Sequence, residues 1–528
     1  MRNFLLVGLL IVAQLTNGQD IVKENLGPKI NTPYADTKPL ISPDGKTLYF
    51  ARQYYPENIN GEKDAQDIYY SILVDGEWSQ SVNFGAPLND AYPNGISSIT
   101  PDGNSVLVLN AYSEDNVKNG VSIAHRDSTS WTKPHMLNIR DFYNRSGFAD
   151  YYLSNNEQEM LLAIQRDDSF GDQDLYICFR INENTWTEPV NLGPIVNSTM
   201  AEFSPFLAAD NKTLFFASEG HGSYGSSDIF YTKRLDDTWQ NWTDPINLGP
   251  EVNTVSFEAY YSIPASGEYA YFVSTAESIS ESKDIFKITI PYRFRPEAVL
   301  LVAGHVIDKS THDPISAEVV YHAVENIEDK GVAQSDSQDG AFKIVLPHGY
   351  SYRYYAEAAG YFGIPLVIDE VNSNEYHEIE SNLYMVPIEE GSNIPLFDIY
   401  FKDKDSKLLK ESAFELQRLL KAFRDNSDFR IKISAFTNEM SSGQENLELS
   451  VERALSIRQY FINNEIPADR LETEGLGNTK SFNDSELINL NKGINANNRI
   501  EITILPLTQA KGPQSTTSGP KVDIQDNE

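Results

Sequence analysis

The chain has 528 residues and carries 42 Lys and Arg against 76 Asp and Glu, which gives a net charge of −34. A surface this acidic argues against nucleic acid and anionic lipid as partners, because both are polyanions. The length exceeds that of a single domain, the hydrophobic content of 40% allows several buried cores, and the single cysteine excludes a disulfide within the chain.

The first twenty residues, MRNFLLVGLLIVAQLTNGQD, have the layout of a secretory signal. Arg2 precedes an apolar run over residues 4–13, and small residues follow at 16–18. We therefore predict a signal peptide over residues 1–18 and an exported mature protein. The run is too short to cross a bilayer, and no other stretch approaches 18 apolar residues, so we predict no transmembrane segment.

Residues 19–292 contain a repeated pattern. An aspartate, or its counterpart Val121, opens a short strand-like stretch at positions 67, 121, 174, 228 and 284, which are 53 to 56 residues apart. A Trp near the middle of most units and Asp-Gly or Asp-Asn turns recur with it, as in SPDGKTLYFA and AADNKTLFFA. Four short strands per unit are typical of a β-propeller blade, and the units resemble the WD-like repeats of TolB-type periplasmic proteins.

The number of blades follows from an unmatched motif. LGPxxN ends the third and fourth units, starting at Leu192 and Leu248, and FGAPLN ends the first unit, but the fifth unit stops at DIFKITIP without a copy. The missing copy, LGPKIN, begins at Leu26. We therefore predict that the N-terminal strand completes the last of five blades, or of six if one irregular unit is unrecognised.

Residues 298–388 lack the repeat and show no helical period. Asp339-Gly340 and the LPHG stretch at 346–349 predict hairpin turns between alternating strands. The segment resembles the carboxypeptidase-regulatory-like fold, an Ig-like β-sandwich, which implies a spacer or docking module. Three nearby histidines, His305, His312 and His322, match no zinc-ligand spacing, so we expect no metal site.

Residues 393–506 predict an α/β domain with the order βαβαββ. We expect a first strand at IYF, which starts at Ile399, and then a helix with an apolar stripe. The members of the stripe are Leu409, Ala413, Leu416, Leu420 and Phe423. Ser442 and Glu445 have the spacing of a capping box at the start of a second helix, and strands follow at RLETEGLG and RIEITIL.

The same segment is similar to the OmpA-like domain. The resemblance rests on ISAFTN, NLELSVERA, RLETEGLG and NNRIE. It implies binding of peptidoglycan through the diaminopimelate residue of its peptide stem, with an Asp of the loop meeting the ammonium group and an Arg of the helix meeting a carboxylate. The matching positions here are Asn438 and Arg453, with Thr437 and Asn446 beside them.

Several positions depart from the family pattern, and Ala435-Phe436 stands where the family has Gly-His. Asn438 stands where the family has Asp, and an amide offers no negative charge to an ammonium group. We expect this to weaken binding by about 1–3 kcal/mol, or roughly 5- to 150-fold. Asn498 replaces the first Arg of the family's NRR motif, and the neighbouring Glu439 is a possible substitute acid.

These features predict a non-enzymatic envelope protein of the periplasm, associated with the outer membrane or cell wall. Its partners would be peptidoglycan and, from similar architectures, an outer-membrane β-barrel or type IX secretion proteins. The alternatives are a protein-binding adaptor that has lost diaminopimelate binding and a propeller hydrolase. GHGSYG fits GxGxxG but precedes a strand, so no cofactor is expected. The polar tail, residues 507–528, is predicted to be disordered.

Overall fold

The computed structural model describes residues 23–112, 120–127, 130–278, 282–426, 429–482, 484, 487 and 497–506. The predicted signal peptide and the predicted disordered tail lie outside these residues. The described chain is mostly β-structure and divides into two compact units. The first contains the described residues up to Ile307 with Pro314–Tyr355 and Val367–Asn382, and the second contains Asp308–Asp313, Ala356–Leu366 and the residues from Leu383 onwards.

The repeats form five consecutive, mainly antiparallel sheets. The strands of the first two sheets, with the N-terminal strand, are β1 Lys23–Asn25, β2 Ala35–Ile41, β3 Thr47–Gln53, β4 Asp67–Val74, β5 Glu77–Trp78, β6 Val82–Asn83, β7 Ile96–Ile99, β8 Ser105–Leu109, β9 Val121–Asp127, β10 Ser130–Trp131 and β11 His135–Met136. Those of the other three are β12 Asn138–Ile139, β13 Asp150–Leu153, β14 Glu159–Ile164, β15 Asp174–Asn182, β16 Thr185–Trp186, β17 Val190–Asn191, β18 Glu202–Leu207, β19 Thr213–Ser218, β20 Asp228–Lys233, β21 Ile246–Asn247, β22 Glu258–Ser262, β23 Tyr269–Ser274 and β24 Asp284–Thr289.

The N-terminal strand belongs to the last of these sheets. β1 pairs antiparallel with β24, in the order β1-β24-β23-β22, as the unmatched LGPKIN motif predicts. The strands β2, β7, β13, β18 and β22, which open the five sheets, lie next to one another in that order, and β22 also lies next to β2. One buried apolar cluster includes residues of all five sheets.

A repeated hydrogen-bond network links the repeat Asp to the LGPxxN or FGAPLN motif through the Asn that directly precedes the motif. The Asn that ends the motif donates to this preceding Asn at 2.8–2.9 Å. Each repeat Asp is fully buried, and one of its carboxylate oxygens accepts a hydrogen bond from an Asn side chain. The donor-to-acceptor pairs are Asn83 to Asp67 at 2.7 Å, Asn191 to Asp174 at 2.8 Å, Asn247 to Asp228 at 2.6 Å and Asn25 to Asp284 at 2.8 Å. The N-terminal segment therefore gives the fifth unit the contact that the units of Asp67, Asp174 and Asp228 make internally.

The next strands are β25 Val299–Asp308, β26 Glu318–Ala323, β27 Asn326–Gln334, β28 Ala341–Pro347, β29 Ser351–Glu357, β30 Tyr361–Gly363, β31 Leu366–Asp369, β32 His377–Glu380 and β33 Leu383–Pro387. Among the first unit's strands, β25 pairs antiparallel with β28 and parallel with β32, and β26 pairs antiparallel with β27. In the second unit, β30 pairs with β33. As predicted, no helix interrupts these strands in the described residues.

In the described residues, the named elements of the C-terminal part of the second unit follow the predicted order βαβαββ. Its elements are β34 Asn393–Leu396, α1 Ala413–Asp425, β35 Phe429–Phe436, α2 Gly443–Asn463, β36 Leu471–Gly477 and β37 Arg499–Pro506, and the sheet order is β34-β37-β35-β36. Leu416, Leu420 and Phe423 are buried on α1 as predicted. No helix of the described chain is long and apolar enough to span a membrane.

Two sequence predictions in this region are wrong. The first strand is β34, not the stretch at Ile399, and its Pro395 is tolerated because β34 lies at the sheet edge. The apolar stripe of α1 does not extend to Leu409 and Ala413, which are exposed. Leu409 lies before α1, beyond a turn of 3-10 helix that changes the angular spacing of the side chains, and Ala413 is the first residue of α1.

Candidate functional site

The loop between β35 and α2 is held at its helical end by a capping box. The Ser442 side chain accepts from the Glu445 N–H at 3.2 Å, and the Glu445 carboxylate accepts from the Ser442 N–H at 3.1 Å. Both orphan N–H groups at the start of the helix are thereby satisfied, as the sequence predicts. Loop residues 437–442 therefore connect two fixed ends.

Arg453, on α2, is buried beneath this loop with only 3% of its surface exposed. Its Nη1 and Nη2 donate to the two carboxylate oxygens of Glu439, each at 2.8 Å, which is the bidentate geometry that a guanidinium group prefers. Nε donates to the Asp405 backbone oxygen at 3.1 Å, and the guanidinium carbon lies 4.7 Å from the centre of the Phe401 ring. Arg453 is thus a fixed carboxylate receptor whose carboxylate comes from Glu439.

Two further groups donate hydrogen bonds to the Glu439 carboxylate. Its oxygens also accept from the Lys404 backbone N–H at 3.2 Å and from the Asn498 side-chain amide at 3.0 Å. Partial burial acts to raise the pKa of Glu439, but the hydrogen bonds and charge of Arg453 outweigh it and lower the pKa below its usual value. Glu439 is therefore ionised at neutral pH.

The structure places the four predicted site residues in different roles. Thr437 is buried, and its hydroxyl accepts from Arg453 Nη1 at 3.2 Å. Asn438 is exposed, and its backbone N–H donates to the Asn498 side chain at 3.0 Å. Asn446 is buried and anchors the loop backbone: its side chain accepts from the Met440 N–H and donates to the carbonyl oxygens of Met440 and Ser442.

The structure therefore joins Thr437 to Arg453 and gives Asn446 a role in shaping the loop. From the sequence, Glu439 is only a possible substitute for the missing acid, and Asn498 is only a position where the family has Arg. The structure shows that Asn498 connects the backbone of the loop to the Glu439 carboxylate. One feature of the sequence indicates this arrangement: Glu439 directly follows Asn438, the position at which the OmpA-like pattern has its acid.

Arg499, at the start of β37, packs against the end of β35. Arg499 donates to Glu501 at 2.7 Å, and its guanidinium carbon lies 3.8 Å from the centre of the Phe436 ring. Phe436 stands where the resembling family has His, and it gives Arg499 an aromatic face in place of a polar ring. This cation–π contact fixes the end of β35, from which the loop departs.

The first unit contains a separate polar cleft of about 590 Å³. Lys38 forms an ion pair with Asp150 there and lies 4.2 Å from the centre of the Tyr260 ring. Burial acts to lower the pKa of Lys38, but the charge of Asp150 reverses this and raises the pKa overall. The residues that line the cleft include no histidine, and Asp150 is already paired with Lys38.

Comparison with known proteins identifies the C-terminal part of the chain. Residues 400–494 match the model of the OmpA family. Among curated proteins, none is significantly similar in sequence to this chain.

Solved structures align with about a fifth of the chain. They include the periplasmic domain of MotB from Helicobacter pylori, with 19% identity, 23% of this chain and 80% of that chain covered and a TM-score of 0.19. An outer membrane protein from Borrelia burgdorferi has 25% identity, coverages of 22% and 91% and a TM-score of 0.17. The cell wall anchor of the T6SS from Pseudomonas aeruginosa has 18% identity, coverages of 22% and 81% and a TM-score of 0.18. Likeness at this level establishes neither a shared ligand nor a shared activity.

Proposed function

We propose that the chain is a cell-envelope protein whose C-terminal domain binds peptidoglycan at the loop over Arg453. The observation that carries the proposal is the bidentate contact between Arg453 and a carboxylate. Arg453 occupies the helix position at which the OmpA-like pattern places the Arg that meets the stem carboxylate. The buried guanidinium group, fixed by Asp405 and Thr437, is preorganised for such a group.

Glu439 holds the place that the carboxylate of the ligand would take. A stem carboxylate can reach Arg453 only if the Glu439 side chain turns away, because both guanidinium edges that it uses are already bonded. Glu439 is partly exposed, with 22% of its side chain accessible, so this movement needs no opening of the core. Once displaced, the Glu439 carboxylate lies on the same loop as Asn438 and supplies the negative charge that Asn438 lacks for the stem ammonium group.

The first unit fits the role of a binding module attached to this domain. We propose that its five sheets form a closed five-bladed propeller, since the opening strands of the sheets follow one another and the N-terminal strand completes the last sheet. The following strands form a docking sandwich. The protein would be exported to the periplasm and work beside an outer-membrane β-barrel or type IX secretion proteins, with no enzymatic activity of its own.

A second candidate is a periplasmic adaptor that no longer binds the cell wall. The observation in its favour is that Glu439 satisfies Arg453 within the chain, so that the domain is complete without a ligand. A third reading, a propeller hydrolase, is disfavoured by the paired Asp150 and the lack of histidine around the cleft.

Co-sedimentation of the purified full chain with isolated peptidoglycan sacculi separates these candidates. We expect the wild type to pellet with sacculi, Arg453→Ala to remain in the supernatant, and Asn438→Asp to pellet at lower protein concentration. Asp469→Ala, which alters an acid outside the loop, serves as the matched control. If wild type and Arg453→Ala pellet equally, the proposed site is wrong; if only Asn438→Asp pellets, the adaptor is the better description.

A further inference from the structure

Three side chains that are distant in sequence meet at one edge of the first unit. β25 pairs with both β28 and β32, and Leu300 faces Leu346 on one side and His377 on the other. His348 directly follows β28 and therefore lies close to His377. Glu370 is held beside His348 because the Gly349 N–H donates to the Glu370 backbone oxygen at 3.0 Å.

The two imidazole rings are oriented by a single carbonyl group. Nε2 of His348 and Nδ1 of His377 each lie 3.0 Å from the backbone oxygen of Glu375. A carbonyl oxygen has two lone pairs and no proton, so both ring nitrogens must act as donors. In the neutral rings this fixes the tautomers: Nδ1 of His348 and Nε2 of His377 carry lone pairs. The rings lie nearly parallel, with centroids 5.5 Å apart and 14° between their planes.

Both lone pairs point at one carboxylate. Nδ1 of His348 lies 3.1 Å from Oε2 of Glu370, and Nε2 of His377 lies 3.4 Å from Oε1. His348 Nδ1 and Glu370 Oε2 are buried, and neither makes a hydrogen bond within the described chain. Neutral imidazole lone pairs facing a carboxylate repel it, so the arrangement requires a positive charge between the three groups.

The three groups lie close enough together for one metal ion to contact all of them. All three ligand atoms lie within 4.8 Å of one another. Zinc binds nitrogen and oxygen at about 2.0–2.2 Å, so two ligands at a tetrahedral angle lie roughly 3.3–3.5 Å apart. The backbone carbonyl of Glu375 supplies the outer contact that usually orients metal-bound histidines. Glu370 is buried, while 39% of the His377 side chain is exposed and offers an entry path.

We propose that His348, Glu370 and His377 bind one divalent transition-metal ion of the zinc type. The ligands are Nδ1 of His348, the carboxylate of Glu370 and Nε2 of His377. Two imidazoles and one carboxylate are a donor set that zinc, nickel and copper accept, whereas calcium and magnesium prefer oxygen alone. A bound ion would tie together the ends of β28, β31 and β32. The sequence-based expectation of no metal considered only His305, His312 and His322, which do not form such a cluster with one another in the described residues.

The test is zinc binding by the untagged full chain, measured with a chromophoric competitor and by elemental analysis after dialysis at pH 7.5. We expect one zinc per chain in the wild type. His377→Ala and Glu370→Gln should each weaken binding at least ~10-fold, since losing even an outer contact costs 10- to 100-fold. His305→Ala, which removes an exposed histidine outside the cluster, should leave binding unchanged.

Two further measurements separate loss of metal binding from loss of folding. Far-ultraviolet circular dichroism shows whether a variant is folded, and His377 is more exposed than Glu370, so its replacement disturbs the core less. Co²⁺ added to the wild type should give visible d–d absorption bands that His377→Ala lacks. If folded wild type retains less than a tenth of an equivalent of zinc, or if His377→Ala and Glu370→Gln bind it as tightly as wild type, a proton supplies the positive charge and the metal site is refuted.

Discussion

Buried carboxylates occur in both units, and the sources of their hydrogen bonds differ. Asp228, in a repeat of the first unit, accepts from the N–H groups of Tyr224 and Gly225 and from the Asn247 side chain, all supplied by one repeat. Glu439, in the second unit, accepts from Arg453, Lys404 and Asn498, which belong to three separate segments. The first arrangement is a local structural device. The second brings three segments together on one side chain, and in the proposed function a ligand carboxylate would take the place of that side chain on Arg453.

Asp228→Ala should cause the largest loss of stability. The substitution leaves two backbone N–H groups and an amide without their buried acceptor, and we expect a loss of at least ~3 kcal/mol. This should lower the Tm of the first unit by at least about 4 °C in calorimetry, since the unfolding entropy scales with the size of the unit. Asp237→Ala removes a fully exposed aspartate and should shift the Tm by less than about 1 °C. Equal shifts for both variants would show that the repeat Asp network does not stabilise the sheets.

Glu439→Gln should have a smaller and pH-dependent effect. The variant keeps the size of the side chain and loses its charge, so we expect a cost of about 1.5–3 kcal/mol at pH 7. Because the folded-state pKa of Glu439 is lowered, its contribution is complete above pH 4.5 and disappears as the pH falls through the folded pKa.

The measurement is the Tm difference between wild type and Glu439→Gln from pH 7 to pH 3. The difference should shrink as the pH falls. A difference that stays constant over that range would mean that the carboxylate charge does not hold the loop on Arg453.

Asn446→Ala tests whether the loop is shaped from within the chain. The three hydrogen bonds of the side chain fix the backbone at Met440 and Ser442, so we expect a loss of about 1–2 kcal/mol and faster hydrogen exchange at Met440. Gln444→Ala on the exposed side of α2 is the control. Unchanged exchange at Met440 in Asn446→Ala would remove Asn446 from this role.

The smallest expected effect belongs to Ser442→Ala. Loss of the N-cap acceptor should cost about 1 kcal/mol without altering Arg453 or Glu439. Binding to sacculi should then stay within about twofold of wild type. A large loss of binding would mean that the start of α2, and not Arg453, makes the main contact.

Local patterns in the sequence predicted the parts of the fold that depend on neighbouring residues. The capping box at Ser442 and Glu445 is confirmed, and so is the pairing of the N-terminal strand with the strand that begins at Asp284. The first strand of the C-terminal sheet was misplaced, since Pro395 obscured an edge strand. Such strands are recognised by their position in the sheet, which one sequence does not show.

The site residues were predicted less completely for a related reason. The proximity of Arg453 to the loop at Thr437 was predictable because the motif has a fixed spacing along one helix and loop. The contact of Glu439 with Asn498 depends on how two distant loops meet, and no local period encodes it. The cluster of His348, Glu370 and His377 likewise arises from strand pairing across β25 and has no short-range pattern.

The most direct test of the central claim is calorimetric titration of the full chain with a soluble peptidoglycan stem fragment that contains diaminopimelate. Wild type, Glu439→Gln and Arg453→Ala would be compared at neutral pH. If Arg453 is the carboxylate receptor and Glu439 its internal occupant, Arg453→Ala should abolish binding and Glu439→Gln should change the affinity at least ~5-fold. Binding that is the same in all three proteins would contradict the account.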